Sequence, residues 1–80
     1  MRILQGSREL DEIELHLTDA EAERLVDLVS DCRHDLAEVG LSQSHWHLID
    51  GSREVTVFLY AKNDELESEV EARLGEEATD

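Results

Sequence analysis

Asp50-Gly51-Ser52 separates two runs of strand-forming residues, and no other feature narrows the fold of this chain so far. Ser44-His45-Trp46-His47-Leu48-Ile49 precedes it and Glu54-Val55-Thr56-Val57-Phe58-Leu59-Tyr60 follows; an Asp-Gly pair between such runs signals a hairpin. Whether the loop is Asp50-Gly51 or Gly51-Ser52, pairing parity puts Ser44, Trp46, Leu48, Val55, Val57 and Leu59 on one face. Gln43, His45, His47, Ile49, Thr56, Phe58 and Tyr60 take the other. The first face is mostly aliphatic and holds the only tryptophan, so it is expected to pack on a helix.

That helix is announced by Thr18-Asp19-Ala20-Glu21, a capping box in which the Thr18 hydroxyl accepts from the Glu21 amide and the Glu21 carboxylate accepts from the Thr18 amide. Ala22, Leu25, Val26, Leu28, Val29, Cys32, Leu36 and Val39 then recur at three- and four-residue steps until Gly40, a natural left-handed terminator. Asp19, Glu21 and Glu23 suit the positive end of the helix, whereas Asp35 and Glu38 oppose the negative end, so the buried face must supply the stability.

Upstream, Glu12-Ile13-Glu14-Leu15-His16-Leu17 alternates strictly and predicts a half-buried strand, with Ile13, Leu15 and Leu17 inward. Arg2 to Gln5 reads as a short strand that Gly6-Ser7 turns back into a hairpin, while Glu9 to Asp11 shows no clear period. From Asn63 a last helix is expected, capped by Asn63 or Asp64, with Leu66, Val70 and Leu74 on a narrow stripe and Gly75 as its stop. The predicted fold is α+β, in the order β(β)-α-β-β-α. A small antiparallel sheet of three or four strands packs on one long helix, Asp19 to Val39, with a shorter C-terminal helix. Residues 1–75 form a single domain and 76–80 an acidic frayed tail.

Composition removes whole classes of function. Among 80 residues, 21 Asp and Glu face 7 Lys and Arg, for a net charge of −14 and a pI near 4.4. Such a surface cannot displace counterions from phosphate, so direct nucleic-acid binding is not expected. Hydrophobic residues at 40% and aromatics at 4% suffice for one thin core without a deep substrate cavity. No apolar run is long enough to cross a membrane, and Met1-Arg2-Ile3-Leu4 lacks a signal-peptide core, so a cytoplasmic protein is expected. The lone Cys32 falls on the apolar helix stripe and reads as a small buried hydrophobe. No serine has the context of a nucleophile elbow, and carboxylates are too abundant for a pair to be diagnostic, so neither an enzyme, catalytic residues nor a cofactor is expected.

Two groups of residues remain as candidate sites. His45 and His47 point the same way from one strand, a spacing from which two imidazoles can converge on a metal ion. His16 joins them only if its strand pairs beside the hairpin, with Glu12 or Glu14 adding a carboxylate. The competing reading makes these histidines ordinary amphipathic strand residues. With Phe58 and Tyr60, His45 and His47 also form a candidate contact patch, unless the last helix covers it through Leu66 and Val70. Burial of that face or pairing of an open edge in a homodimer is a further alternative.

The acids concentrate on the first helix, at Asp19, Glu23, Asp27, Asp31, Asp35 and Glu38, and again from Asp64 through Glu77. Solubility needs far less charge than this. Salt adaptation would explain both the acids and a single lysine, Lys62, and would suit a homo-oligomeric structural domain. The sharper explanation is a strongly basic partner, whose encounter a negative field accelerates. The acidic helix, the strand His45-Trp46-His47-Leu48-Ile49, the turn and the strand Glu54 to Tyr60 together resemble small bacterial immunity proteins that neutralise polymorphic or contact-dependent toxins. The likeness lies in the general pattern of residues 12–60. It implies a non-catalytic, stoichiometric inhibitor of a basic, nuclease-like toxin, with acids and aromatics as contacts. Phage-type inhibitors and nucleic-acid mimics share the same composition and remain an alternative.

Overall fold

Both hairpins of the protein turn on the same four residues. Gly6-Ser7-Arg8-Glu9 and Gly51-Ser52-Arg53-Glu54 each begin with a glycine of positive φ, 63° at Gly6 and 61° at Gly51. The serines that follow have negative φ, so each turn is of type II′, whose twist matches that of the flanking strands. A computed structural model describes residues 1–77. The first turn joins β1 (Ile3–Gln5) to β2 (Arg8–Leu10), and the second joins β3 (Gln43–Asp50) to β4 (Arg53–Tyr60). β3 and β4 pair antiparallel without a bulge, from Gln43 opposite Tyr60 to Asp50 opposite Arg53. The pairing gives the two faces expected from parity, with Trp46 opposite Val57 and His45 opposite Phe58.

Helix α1 (Asp19–His34) opens on the capping box. The Glu21 amide donates to Thr18 Oγ1 at 3.3 Å, and the Thr18 amide donates to Glu21 Oε1 at 2.8 Å. That backbone donor holds the Glu21 carboxyl below the usual glutamate range. The chain continues into a π-helical turn, Asp35–Val39, and Gly40 at φ 81° closes it by donating to the Asp35 carbonyl. The long helix therefore spans Asp19 to Val39 as expected, with its last five residues wound wider. Leu28 and Cys32 of α1 meet Leu48 of β3 in the core, flanked by Leu25, Val29, Val55, Val57 and Leu59.

Helix α2 (Asn63–Glu77) lies on the opposite face of β4, with Val70 buried. The architecture is α+β, with α1 and α2 on opposite faces of a two-stranded sheet that would be marginal without them.

Several expectations are corrected. The four strands form two separate hairpins, and the segment Glu12 to Leu17 belongs to neither. Among the described residues it pairs with no strand, and Ile13, Leu15 and Leu17 are 55%, 46% and 38% exposed. An alternating pattern makes a strand only where an edge accepts it, and here α1 starts directly after Leu17 without returning the segment to β3. Val26 and Val39 stand in solvent, off the narrower stripe that meets the sheet, and Trp46 is 47% exposed at the sheet margin. Helix α2 is already helical at Asn63, because the Leu66 amide donates to the Lys62 carbonyl. It also runs through Gly75, which keeps a helical sign of φ and so does not terminate it. The expected tail is thus helical at Glu76 and Glu77, and residues 78–80 lie outside the described residues.

Candidate functional site

The solvent face of α1 carries Asp19, Glu23, Asp27 and Asp31, all exposed. Among the described residues none of the four takes part in an ion pair. Each four-residue step rises about 6 Å and advances about 40° around the axis. The row therefore crosses the outer face obliquely, from one flank to the other. Asp35 continues it, and by that point the row has reached the flank beside β3.

There the Asp35 carboxylate turns inward. Its Oδ2 accepts from Ser44 Oγ at 2.6 Å and from the Trp46 indole Nε1 at 3.3 Å. These two donors, Ser44 first, hold its carboxyl below the usual aspartate range. Asp35 is therefore a fastener between helix and sheet, while the remaining acids of the row stay free. The same contact anchors the indole, so a half-exposed tryptophan ends an unpaired acidic row. Ser44 and Trp46 share a face by parity, but their common acceptor comes from a different element.

On the other sheet face, His45, His47, Phe58 and Tyr60 do come together. His45 stacks on Phe58 at 4.9 Å between centroids, His47 meets His45 edge-on at 5.4 Å, and Phe58 stacks with Tyr60 at 6.5 Å. The Arg73 guanidinium of α2 sits 4.4 Å over the Phe58 ring. Phe58 and Tyr60 are half-buried, and burial raises the Tyr60 phenol above its ordinary range, aided by the nearby Glu69 carboxylate. Only the two histidines of this group stand exposed. His47 Nδ1 donates to Glu54 Oε1 at 2.5 Å, with Thr56 Oγ1 2.9 Å away.

The first hairpin closes over this face to leave an open cleft of ≈ 600 Å³ between Leu4, Gly6, His47, Phe58 and Val70. Arg2 ties the hairpin down. Its guanidinium donates to Glu9 Oε1 at 3.0 Å and to Glu71 Oε1 at 3.3 Å, with further contacts to Glu9 and Glu67. An exposed pair of this kind contributes little alone, but one guanidinium shared by three carboxylates on two elements fixes their relative position. The hydrogen bond to Arg2 holds the Glu9 carboxyl low. Reading the chain by period misses Arg2, since a lone arginine near the start carries no pattern.

The three-histidine centre is not assembled. His16 lies on the unpaired segment, 3.2 Å from Glu14 Oε1, and among the described residues no group of three or more His, Cys, Asp or Glu is arranged to hold a metal ion. Cys32 is fully buried, and burial pushes its thiol pKa up, the opposite of what a reactive thiolate requires. No helix among the described residues is long and apolar enough to cross a membrane.

No protein-family model, curated protein or solved structure matches this chain.

Proposed function

We propose that the protein is a non-catalytic acidic binding protein, an immunity-type inhibitor that neutralises a basic, nuclease-like partner in the cytoplasm. One observation carries this reading. The carboxylates of Asp19, Glu23, Asp27 and Asp31 are exposed and unpaired along α1, and the row ends at the half-exposed, hydrogen-bonded indole of Trp46. A row of like charge at four-residue spacing destabilises a helix by a few tenths of a kcal/mol per pair, about what each would gain from a cationic neighbour. A basic groove supplies that neighbour and the negative field speeds its arrival. Trp46 then provides the rigid apolar anchor that charge alone lacks, and tryptophan is among the residues most enriched at the energetic centres of interfaces. His45 and His47 offer a second exposed contact on the far side of the sheet.

The test uses the chain as bait against lysate, with bound proteins identified and the stoichiometry measured. The expected result is one basic protein held in a defined ratio, with association slowing as salt rises from low to physiological strength. A variant combining Asp19→Asn, Glu23→Gln, Asp27→Asn and Asp31→Asn should lose most of the association rate, and Trp46→Ala should shorten the lifetime of the complex. A captured set with no basic bias, or a neutralised row that binds as the parent does, rejects the proposal. Displacement of the chain by a short DNA or RNA duplex would identify the nucleic-acid groove of the partner as the contact, and would favour the mimic form of the same reading.

A further inference from the structure

Among the described residues the segment Glu12 to Leu17 has the alternation of a strand and no strand partner, while the outer edge of β3 has no strand beside it and is met only near its end, where Arg24 reaches the Ile49 carbonyl. Edge strands normally carry a lysine, a proline or a bulge that discourages further pairing. β3 contains neither Lys nor Pro, and its eight residues pair with β4 without interruption. β4 is better guarded, by Arg53 and Glu54 at its start and by α2 packed along it.

We propose that residues 12–17 add as an antiparallel strand to the β3 edge of a second copy of this chain, and that reciprocal exchange makes a twofold dimer. Complementarity selects the occupant. With Ile13 opposite Trp46, the alternation places Glu12 against His47 and Glu14 against His45, while Leu15 falls beside Ser44 on the side of the indole. Both imidazoles are exposed, and His47 already takes one carboxylate, Glu54, in the same manner. The outer flank of β3 is thus the part of an acidic molecule that receives glutamates well. Three half-exposed aliphatic side chains gain cover in the same step.

The geometry also favours another copy over the segment's own β3. Arg24 Nη2 of α1 reaches the Ile49 carbonyl at 3.3 Å, so α1 begins beside the end of β3. Leu17 lies just before that start, and the segment can approach its own β3 only in parallel, the weaker arrangement. A second copy carries no such restriction, and a twofold exchange uses the same surface twice.

The added strand would cover Trp46, His45 and His47, which the proposed capture of a basic partner also uses, so the two contacts compete, and salt separates them. Two copies of charge −14 repel each other, so screening strengthens the dimer while it weakens attraction to a basic protein. Sedimentation equilibrium over protein concentration, at low and at molar salt, should show a monomer–dimer equilibrium that tightens with salt. Leu15→Lys should raise its dissociation constant roughly tenfold or more while leaving the thermal melt at monomeric concentration unchanged and partner capture undiminished. The even residues of β3 bond β4, so its odd residues face the open edge and pair with 12, 14 and 16; amide exchange at residues 12, 14 and 16 should slow as protein concentration rises. A monomer at every concentration and salt, a dimer indifferent to Leu15→Lys, or protection of those amides independent of concentration would each overturn the proposal.

Discussion

The Asp35 carboxylate joins the long helix to two residues of β3 through one oxygen. It belongs to the acidic row by sequence, yet Ser44 and Trp46 satisfy it, and Ser44 is buried where an unmet hydroxyl would be unfavourable. Ser44→Ala should destabilise the fold by about 1–2 kcal/mol in urea titration, since a hydrogen bond to a charged acceptor is lost. Asp35→Ala should lower the melting temperature and shift the fluorescence of Trp46 to the red as the indole loses its acceptor. The sign of the acid response follows from the lowered Asp35 pKa. Its contribution is complete above the unfolded aspartate value of about 4 and is lost as pH falls through the lower folded value. Wild type should therefore lose more stability than Asp35→Ala as pH falls below the unfolded aspartate value of about 4, measured as a narrowing gap between their urea midpoints.

Elements differ in how locally they are encoded. The Thr18 capping box, the Gly40 stop and the Gly51 turn are each specified by a few adjacent residues, and all three stand where the sequence puts them. Thr18→Ala should lower stability by about 1 kcal/mol, read from urea unfolding followed by helix circular dichroism. An unchanged midpoint would mean that packing rather than capping sets the start of α1. Gly75 shows the opposite case, a glycine whose neighbours keep it in the helix. The alternation of Glu12 to Leu17 is as regular as that of β4, yet only β4 has a strand beside it. Period reports which side chains share a face, and pairing depends on an edge that arrives from elsewhere in the chain.

At the scale of the whole molecule, charge opposes compaction. A net charge of −14 over 80 residues is self-repulsive, and most of the acids on α1 lack a cation nearby. The thermal midpoint should rise steadily with sodium or potassium chloride, as the screening length falls from about 8 Å at 0.15 M to about 3 Å at 1 M. A midpoint flat across that range would show that the acids are spaced too widely to repel. The few cations are placed where they join elements, with Arg2 spanning the first hairpin and α2, Arg24 linking α1 to Ile49, and Arg73 lying over Phe58. An acidic chain with seven basic residues uses at least these three as internal ties, leaving Asp19, Glu23, Asp27 and Asp31 of α1 without an ion pair among the described residues.

The amino-acid sequence by itself determined the second hairpin and its two faces, the beginning and end of the long helix, and the acidic row along it. Each depends on period, turn chemistry or capping within a short stretch of chain. Only the tertiary structure decided that Asp35 leaves the row to hold Trp46, that α2 covers Phe58 and Tyr60, that Arg2 ties the first hairpin to α2, and that residues 12–17 remain without a partner. Those outcomes depend on which surfaces meet after the elements have formed, and a donor without its acceptor, or a strand without its edge, looks the same in sequence whether or not the partner arrives.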